Sequence, residues 1–519
     1  MASESVRTRA WLGAAVAEVR RERDRLDAIN VFPIADSDTG TNLFLTLMSG
    51  QRSVGYLADD VTHHAFVVAF ARGCLMGARG NSGVILSQYL TALLWSLDSS
   101  GGLDGSSADD LARALGVAAD AAYDAVGDPV EGTILTVARV AAEGASAAAA
   151  RGESLPAAVV AAVTSARLEL VRTTEVLLPA RDAGVVDAGA AGLLLVLESL
   201  AENVAGPEAL ADLAAVEWEV RERTEGLTPA VVWAAAHHHD PSAEGAFEVM
   251  FVAHTNVLPL PDGARADAEP QTLKAALSEL GVSVAVTGGE SMWQVHVHTT
   301  LLERAIALGW DVGATQVVVR DLDVHEGGLA SMGIVALTTC PGLSEPLAGS
   351  GASAVVIPDA AVLDPDELSQ VVRGASEDRV ILVAGTPELA AAAREAAQRN
   401  GGPAVDLVDS QTEPQLVAAV AAIALVSPGD DVLAAMRAAA ESTVAAESTT
   451  NTIAADLERL LTPESEVAVV ILGDGVPPNT ADGVAERLGE LAPDVEVQVF
   501  WGGQTHPAVI VGVEATREG

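Results

Sequence analysis

Residues 28–50 read AINVFPIADSDTGTNLFLTLMSG. Asp36 and Asp38 stand one residue apart, followed by Thr39, Gly40, Thr41 and Asn42 and then by an apolar run with helical spacing. Two carboxylates this close are costly without a cation. Hard divalent ions take oxygen ligands, and Mg²⁺ in phosphoryl transfer is held by one or two carboxylates together with nucleotide phosphates. The loop can therefore present an Mg·ATP site, to which Asn30 can add a carbonyl oxygen. The plain alternative is an Asp-rich turn in which Asp38, Thr39 or Thr41 caps the helix that follows.

Three further loops bear on that choice. In residues 73–90, GCLMGARGNSGVILSQYL, the run Gly77, Arg79, Gly80, Asn81, Ser82, Gly83 opens a helix. Small residues let backbone N–H groups approach an anion, and a helix N-terminus favours its charge, so this is a candidate phosphate cradle without the Walker lysine. Residues 127–140, GDPVEGTILTVARV, place Gly132 and Thr133 before a helix. Residues 180–200, ARDAGVVDAGAAGLLLVLESL, offer Gly184, Asp187, Gly189 and Gly192. For these last two, close helix packing through glycine is an equally good reading.

The rest of the chain sets bounds. Its 519 residues suggest about three domains. Half the residues are hydrophobic but only 3% are aromatic, so the cores must be aliphatic. With 72 acidic and 29 basic residues the formal charge is −43, which disfavours nucleic acid and anionic membrane surfaces as partners. Cys74 and Cys340 are too few for a disulfide framework or a thiolate zinc site, which points to a reducing, cytoplasmic setting. No secretion signal and no stable membrane insertion are expected.

Residues 1–206 carry apolar positions at three- and four-residue spacing, as in VTHHAFVVAFARGCLMGARG, and read as an all-helical domain. After a charged stretch, residues 226–325 alternate in AFEVMFVAHT, VSVAVTGG and MWQVHVHTT, with the helical QTLKAALSEL between strands, and read as a small α+β domain. Residues 326–519 alternate Val/Ile runs with Ala-rich helices, the pattern of βα units around a sheet.

NVFPIADSDTGTN, GARGNSGVILSQ, EGTILTV and AGVVDAGAAGLL occur in the order seen in the DhaL-type nucleotide-binding domain of dihydroxyacetone kinases. More closely they resemble the catalytic subunit of bacterial fatty acid kinase. WQVHVHTT resembles that family's His-x-His strand, and VEVQVFWGGQTHPAVIVGVE its C-terminal signature. The resemblance implies a helical-barrel kinase domain, a small middle domain and a C-terminal α/β domain like the fatty-acid-binding DegV proteins. It also implies transfer of the ATP γ-phosphoryl group to a fatty acid held by a separate DegV-family protein, giving acyl phosphate. Asp36 and Asp38 would hold Mg²⁺ and Arg79 would offset developing charge. Thr39 to Asn42, Gly80 to Gly83, Gly132, Thr133, Asp187 and Asn30 would position the nucleotide. The family's P-D-G-D-T-G loop is here A-D-S-D-T-G, with Ala35 for Pro and Ser37 for Gly; both aspartates remain, and Asn30 stands where dihydroxyacetone kinases carry a third.

Alternation in MWQVHVHTT puts Gln294, His296 and His298 on one strand face. In the resembling family a cysteine follows an aromatic in a nearby strand; aligned on Phe247 and Phe251, Glu248 takes its place. Glu248, His296 and His298 then form an expected zinc set, against the simpler reading of histidines at a polar interface. His237, His238 and His239 read as exposed loop. Asp359, Asp364 and Asp366 would repel a fatty acid carboxylate, so this chain is not expected to carry its own lipid pocket. Gly473 to Gly475 and Gly502 to Thr505 read as turns. The expected function is an acyl-phosphate-forming kinase, with a dihydroxyacetone-type kinase or a non-catalytic ATP-binding regulator as rivals and homodimer formation left open.

Overall fold

The computed structural model describes the chain apart from residues 1–3, 33–36, 56–60, 128, 212, 214–215, 219–246, 254–256, 260–264, 268–269, 290–291, 323–331, 362, 377, 399–401, 427–429, 478 and 516–519. Asp36 and His237 to His239 thus lie outside the described residues.

The first part of the chain is helical: α1 (Glu4–Ala28), α2 (Thr39–Gly55), α3 (His63–Met76), α4 (Gly80–Asp98), α5 (Gly102–Gly105), α6 (Ala108–Ala125), α7 (Ile134–Ala150), α8 (Leu155–Val176), α9 (Leu178–Ala183) and α10 (Ala188–Ala205). Next come β1 (Phe247–Ala253), β2 (Val257–Pro259), β3 (Arg265–Asp267), α11 (Pro270–Ser278), β4 (Val282–Gly289), β5 (Met292–Thr299), α12 (Leu302–Asp311) and β6 (Val317–Asp321). The remainder alternates β7 (Met332–Thr338), α13 (Ser344–Gly349), β8 (Ser353–Val356), α14 (Pro365–Ala375), β9 (Arg379–Ala384), α15 (Pro387–Gln398) and β10 (Ala404–Leu407). It closes with α16 (Glu413–Ala421), α17 (Val432–Ser442), β11 (Thr443–Ser448), α18 (Ile453–Leu460), β12 (Ser465–Leu472), α19 (Thr480–Leu491), β13 (Glu496–Trp501) and β14 (Val509–Ala515). Two compact units result, residues 1–245 with 269–297 and residues 246–268 with 298–519.

In the first unit the helices start where short polar side chains can take orphan N–H groups. Thr62 accepts from Ala65, Ser107 and Asp110 form a reciprocal capping box, and Ser154 caps α8 with Pro156 in its first turn. Their inner faces are aliphatic. Ala138, Ala141, Ala142, Ala145 and Ala148 of α7 are buried with Ala158, Ala162 and Ala166 of α8. Such short side chains let helix backbones come close, and at Gly144 a Cβ would overlap Ser165 Oγ. Larger residues fill the middle: Trp11, Phe44, Phe66, Phe70 and Tyr89 are all fully buried, and Trp11 Nε1 donates to the Val196 carbonyl at 3.1 Å, tying α1 to α10. Each buried Leu or Phe stabilises by about 1.5–3 kcal/mol. Among the described residues only Ala188–Ala205 is long and apolar enough to cross a membrane, and 72% of it is buried inside the fold, which marks it as a core helix.

The second unit holds a sheet in the order β10-β9-β7-β8-β6-β1 and a four-stranded one, β11-β14-β12-β13. Strands β7 to β10 run parallel and β6 pairs antiparallel with β8 and β1, so the Val/Ile runs of the βα pattern are buried on both faces. One strand runs against the local sequence pattern: Thr443–Ser448 looks like an Ala-rich helix end but pairs with β14, so tertiary pairing overrides local pattern there. Val317–Asp321, with three consecutive valines, lies between β8 and β1.

Candidate active site

The end of α1 and the start of α2 meet through Asp27, which belongs to none of the sequence motifs. Its carboxylate accepts the Thr41 N–H at 2.9 Å and the Thr41 hydroxyl at 2.8 Å, and also the Gly40 N–H. Two first-turn donors of α2 are thereby capped from α1 instead of locally. Burial, and to a lesser degree the charge of Asp38, pushes the Asp27 carboxyl up to about 6 against those donors. Gly40 is needed because a Cβ there would overlap the Arg23 carbonyl. Asp38 stands at the mouth of this turn, where its own carbonyl accepts the Asn42 N–H at 2.8 Å. Between the two aspartates Ser37 has φ 54°, a left-handed conformation that favours glycine, the residue of the resembling loops. Asn30 is buried beside the turn.

The loop before α4 lies against this turn. Thr46 Oγ1 donates to the Asn42 carbonyl at 2.7 Å and accepts the Arg79 N–H at 3.2 Å, so one hydroxyl couples the two motifs. Gly80 takes φ +53°, and a Cβ on it would stand 2.5 Å from Asn42 Nδ2. Arg79 is buried in extended conformation at the cap position and supplies no side-chain cap to α4, which starts Gly80, Asn81, Ser82. Gly83 packs against Thr46, where a Cβ would overlap the hydroxyl. Close packing and an approachable helix N-terminus are thus achieved by the same glycines.

The third and fourth motifs join from the far side. Asp187 is buried, caps α10 through the Ala190 N–H at 2.7 Å and also accepts the Ile134 N–H at the start of α7. Burial pushes its carboxyl up to about 6, with both donors pulling the other way. Thr133 accepts from Leu135 N–H and donates to the Val130 carbonyl, and Gly132 turns the chain at φ +83°. A Cβ at Gly189 would lie 3.4 Å from Asp187 Oδ2, 3.5 Å from Ile134 Cβ and 3.6 Å from Ser82 Oγ. One at Gly192 would overlap Leu43 Cδ1 of α2. The N-termini of α2, α4, α7 and α10 therefore converge at one end of the unit, each directing positive dipole and backbone N–H groups there.

In the strands, Glu248, His296 and His298 are each buried. Glu248 also accepts Arg320 Nη1 at 2.8 Å across the β1–β6 pair, and Arg320 Nε donates to Ser353 Oγ. Sequence reasoning missed that arginine as a partner of Glu248, which lies 72 residues earlier. Asp364 caps α14 through the Asp366 N–H, and Asp359 accepts from Ala361 N–H, so these two acids build turns. Asp474 N–H donates to the Gln504 carbonyl in the turn where residues 473–475 meet 502–504.

Comparison with known proteins follows the same layout. Residues 33–202 match the DAK2 domain, residues 244–324 the middle domain of the FakA-like fatty acid kinase family, and residues 441–514 the C-terminal domain of that family. Protein YloV of Bacillus subtilis (strain 168) is 30% identical over 406 residues, covering 74% of this chain and 70% of its own. An uncharacterized protein of Staphylococcus aureus (strain USA300) is 26% identical over 532 residues, covering 93% of this chain and 94% of its own. Three domain models in the expected order, and a relative matched over most of both lengths, show that the chain belongs to the family of fatty acid kinase catalytic subunits.

Proposed function

We propose that this chain transfers the γ-phosphoryl group of ATP to a fatty acid presented by a separate DegV-family protein, giving acyl phosphate and ADP. The observation that carries this reading is the convergence of four helix N-termini at the end of the unit where Asp38 precedes α2, with glycines that let the loops and helices there pack closely. Asp36 and Asp38 would hold Mg²⁺, which when bound neutralises phosphate charge. Thr39, the Asn42 side chain and the Gly80–Gly83 N-terminus would bind and orient phosphate oxygens, Gly40 and Thr41 hold that turn to Asp27, and Arg79 would offset charge as the β,γ bridge breaks. Gly132 and Thr133 shape the opposite wall. Asp187 holds α7 and α10 in register. The attacking carboxylate is already ionised, so no general base is needed; its oxygen bonds to the γ-phosphorus while ADP leaves with the bridging oxygen. The buried free thiols Cys74 and Cys340 are compatible with a cytoplasmic setting.

The test mixes the full chain with Mg·ATP, oleate and a DegV-family acyl-binding protein and traps acyl phosphate with hydroxylamine. Hydroxamate that needs all components is the expected result. ATP binding without any acyl product, or phosphorylation of dihydroxyacetone instead, would count against it. For the strand cluster we infer zinc held by Glu248, His296 and His298, with weaker affinity than a thiolate site because Glu248 already shares its charge with Arg320. Metal analysis after zinc reconstitution, beside His296→Ala, checks it; a zinc content near zero in the unmodified chain returns the histidines to a polar packing role.

A further inference from the structure

The matched middle domain spans residues 244–324, yet residues 269–297 pack as part of the first unit with the helices. The contacts are specific. Ala285 of β4 forms a small buried apolar cluster with Ala78 and Val84, the residues that bracket Arg79–Gly83. The same Ala285 stands opposite Val126 in an antiparallel bridge, and the Gly127 N–H donates to the Val284 carbonyl at 2.9 Å. One strand therefore touches both the loop before α4 and the loop that leads to Gly132 and Thr133.

A cation completes the junction. Lys274 of α11 donates to the Asp124 carbonyl at 2.9 Å and to the Val126 carbonyl, at the C-terminal end of α6 where exposed carbonyls favour positive charge. Gly127 keeps this contact close: a Cβ there would stand 3.2 Å from the Val284 carbonyl oxygen and would push the two backbones slightly apart. Every side chain in the apolar part is Ala or Val, so backbones are close and little slack exists to absorb a displacement.

We propose that β4, fixed by Lys274, is a positioning element of the nucleotide site: it clamps the loop before α4 to the loop before α7 and so sets nucleotide affinity. Lys274, Val284 and Ala285 are positioning residues that touch no substrate. Because coupling is reciprocal, nucleotide bound at the loops must in turn tighten β4. The inference rests on the nucleotide reading above and adds a second, separable requirement to it.

The test is hydrogen exchange on the full chain with and without Mg·AMP-PNP, followed by titration of the same nucleotide into Lys274→Met and Lys274→Arg. Protection should rise both at residues 78–84 and at residues 282–286. Lys274→Met should bind about tenfold more weakly with its melting little changed, and Lys274→Arg, which still donates to two carbonyls, should restore affinity. Protection confined to residues 78–84, with Lys274→Met binding like the unmodified chain, overturns the clamp while leaving the nucleotide site standing. Absence of protection at both segments overturns the nucleotide assignment and the clamp with it.

Discussion

At the helical end of the molecule the Asp27 carboxylate reaches the first turn of α2 with Asp38 close enough to raise its pKa further, whereas in the second unit Glu413 reaches the end of β7 alone. Glu413 Oε2 accepts the Thr338 hydroxyl at 2.8 Å, and Oε1 accepts the Thr339 N–H at 2.8 Å and the Thr339 hydroxyl at 2.9 Å. Gly385 leaves it room, since a Cβ there would overlap the carboxyl group. Burial raises the Glu413 carboxyl, and its neighbours answer it with donors. A carboxylate enclosed by donors is a structural pin. Asp27 is held by donors in the same way, but Asp38 adds a second negative charge nearby, which the proposed divalent cation would offset.

The sharpest way to break that contrast is to remove one acid from each place. Asp38→Ala should lower phosphoryl transfer on the order of 1,000-fold, as losing a charge-stabilising group does, with the melting temperature within about 2 °C of the unmodified chain. Near-normal turnover at saturating Mg²⁺ would make the loop an ordinary helix start. Glu413→Ala should do the reverse. Stranding the Thr338 and Thr339 donors costs about 2–4 kcal/mol, seen as earlier urea unfolding of the second unit, while Mg·ATP affinity stays the same. A stable Glu413→Ala chain that had lost transfer would move the pin into the active machinery.

A pH comparison sharpens the account within the helical end itself. The Asp187 carboxyl titrates near 6 when folded and near 3.8 when not, so its favourable contribution is complete below 3.8 and is lost as pH rises through about 6. Between pH 5 and 7.5 the chain should lose roughly 1–2 kcal/mol through this group. Asp187→Asn, which keeps an acceptor for Ala190 and Ile134, should lack that slope in urea unfolding followed by circular dichroism. Equal slopes for the two proteins would show that the Asp187 carboxyl is not raised on folding and stays ionised across this range.

The smallest effect belongs to Ser37. Glycine relieves its left-handed strain but adds freedom to the unfolded chain, so Ser37→Gly should stabilise by about 0.5 kcal/mol and leave turnover within twofold. Destabilisation would show that the hydroxyl makes a contact worth more than the strain.

The helical class, the βα pattern and the four motifs were legible because periodicity and glycine placement are local properties. Which reading of each motif holds was not. Asp187 and Thr133 look alike as ligands or caps in sequence; only the approach of Ile134 and Leu135 shows both acting as caps. Asp27 carried no motif of its own, since its partner Thr41 lies fourteen residues on. That Arg320 meets Glu248 stayed hidden because the two lie 72 residues apart and are brought together only by the β1–β6 pairing. Distance along the chain is what separates the readable features from the rest.

Calorimetric titration of the full chain with Mg·AMP-PNP, repeated in EDTA and with Asp38→Ala, tests the central claim most directly. One nucleotide per chain, bound only with Mg²⁺ and lost in the variant, is what a metal-completed acid pair at the helical end predicts. Unchanged binding without the metal, or undiminished affinity in Asp38→Ala, would contradict it.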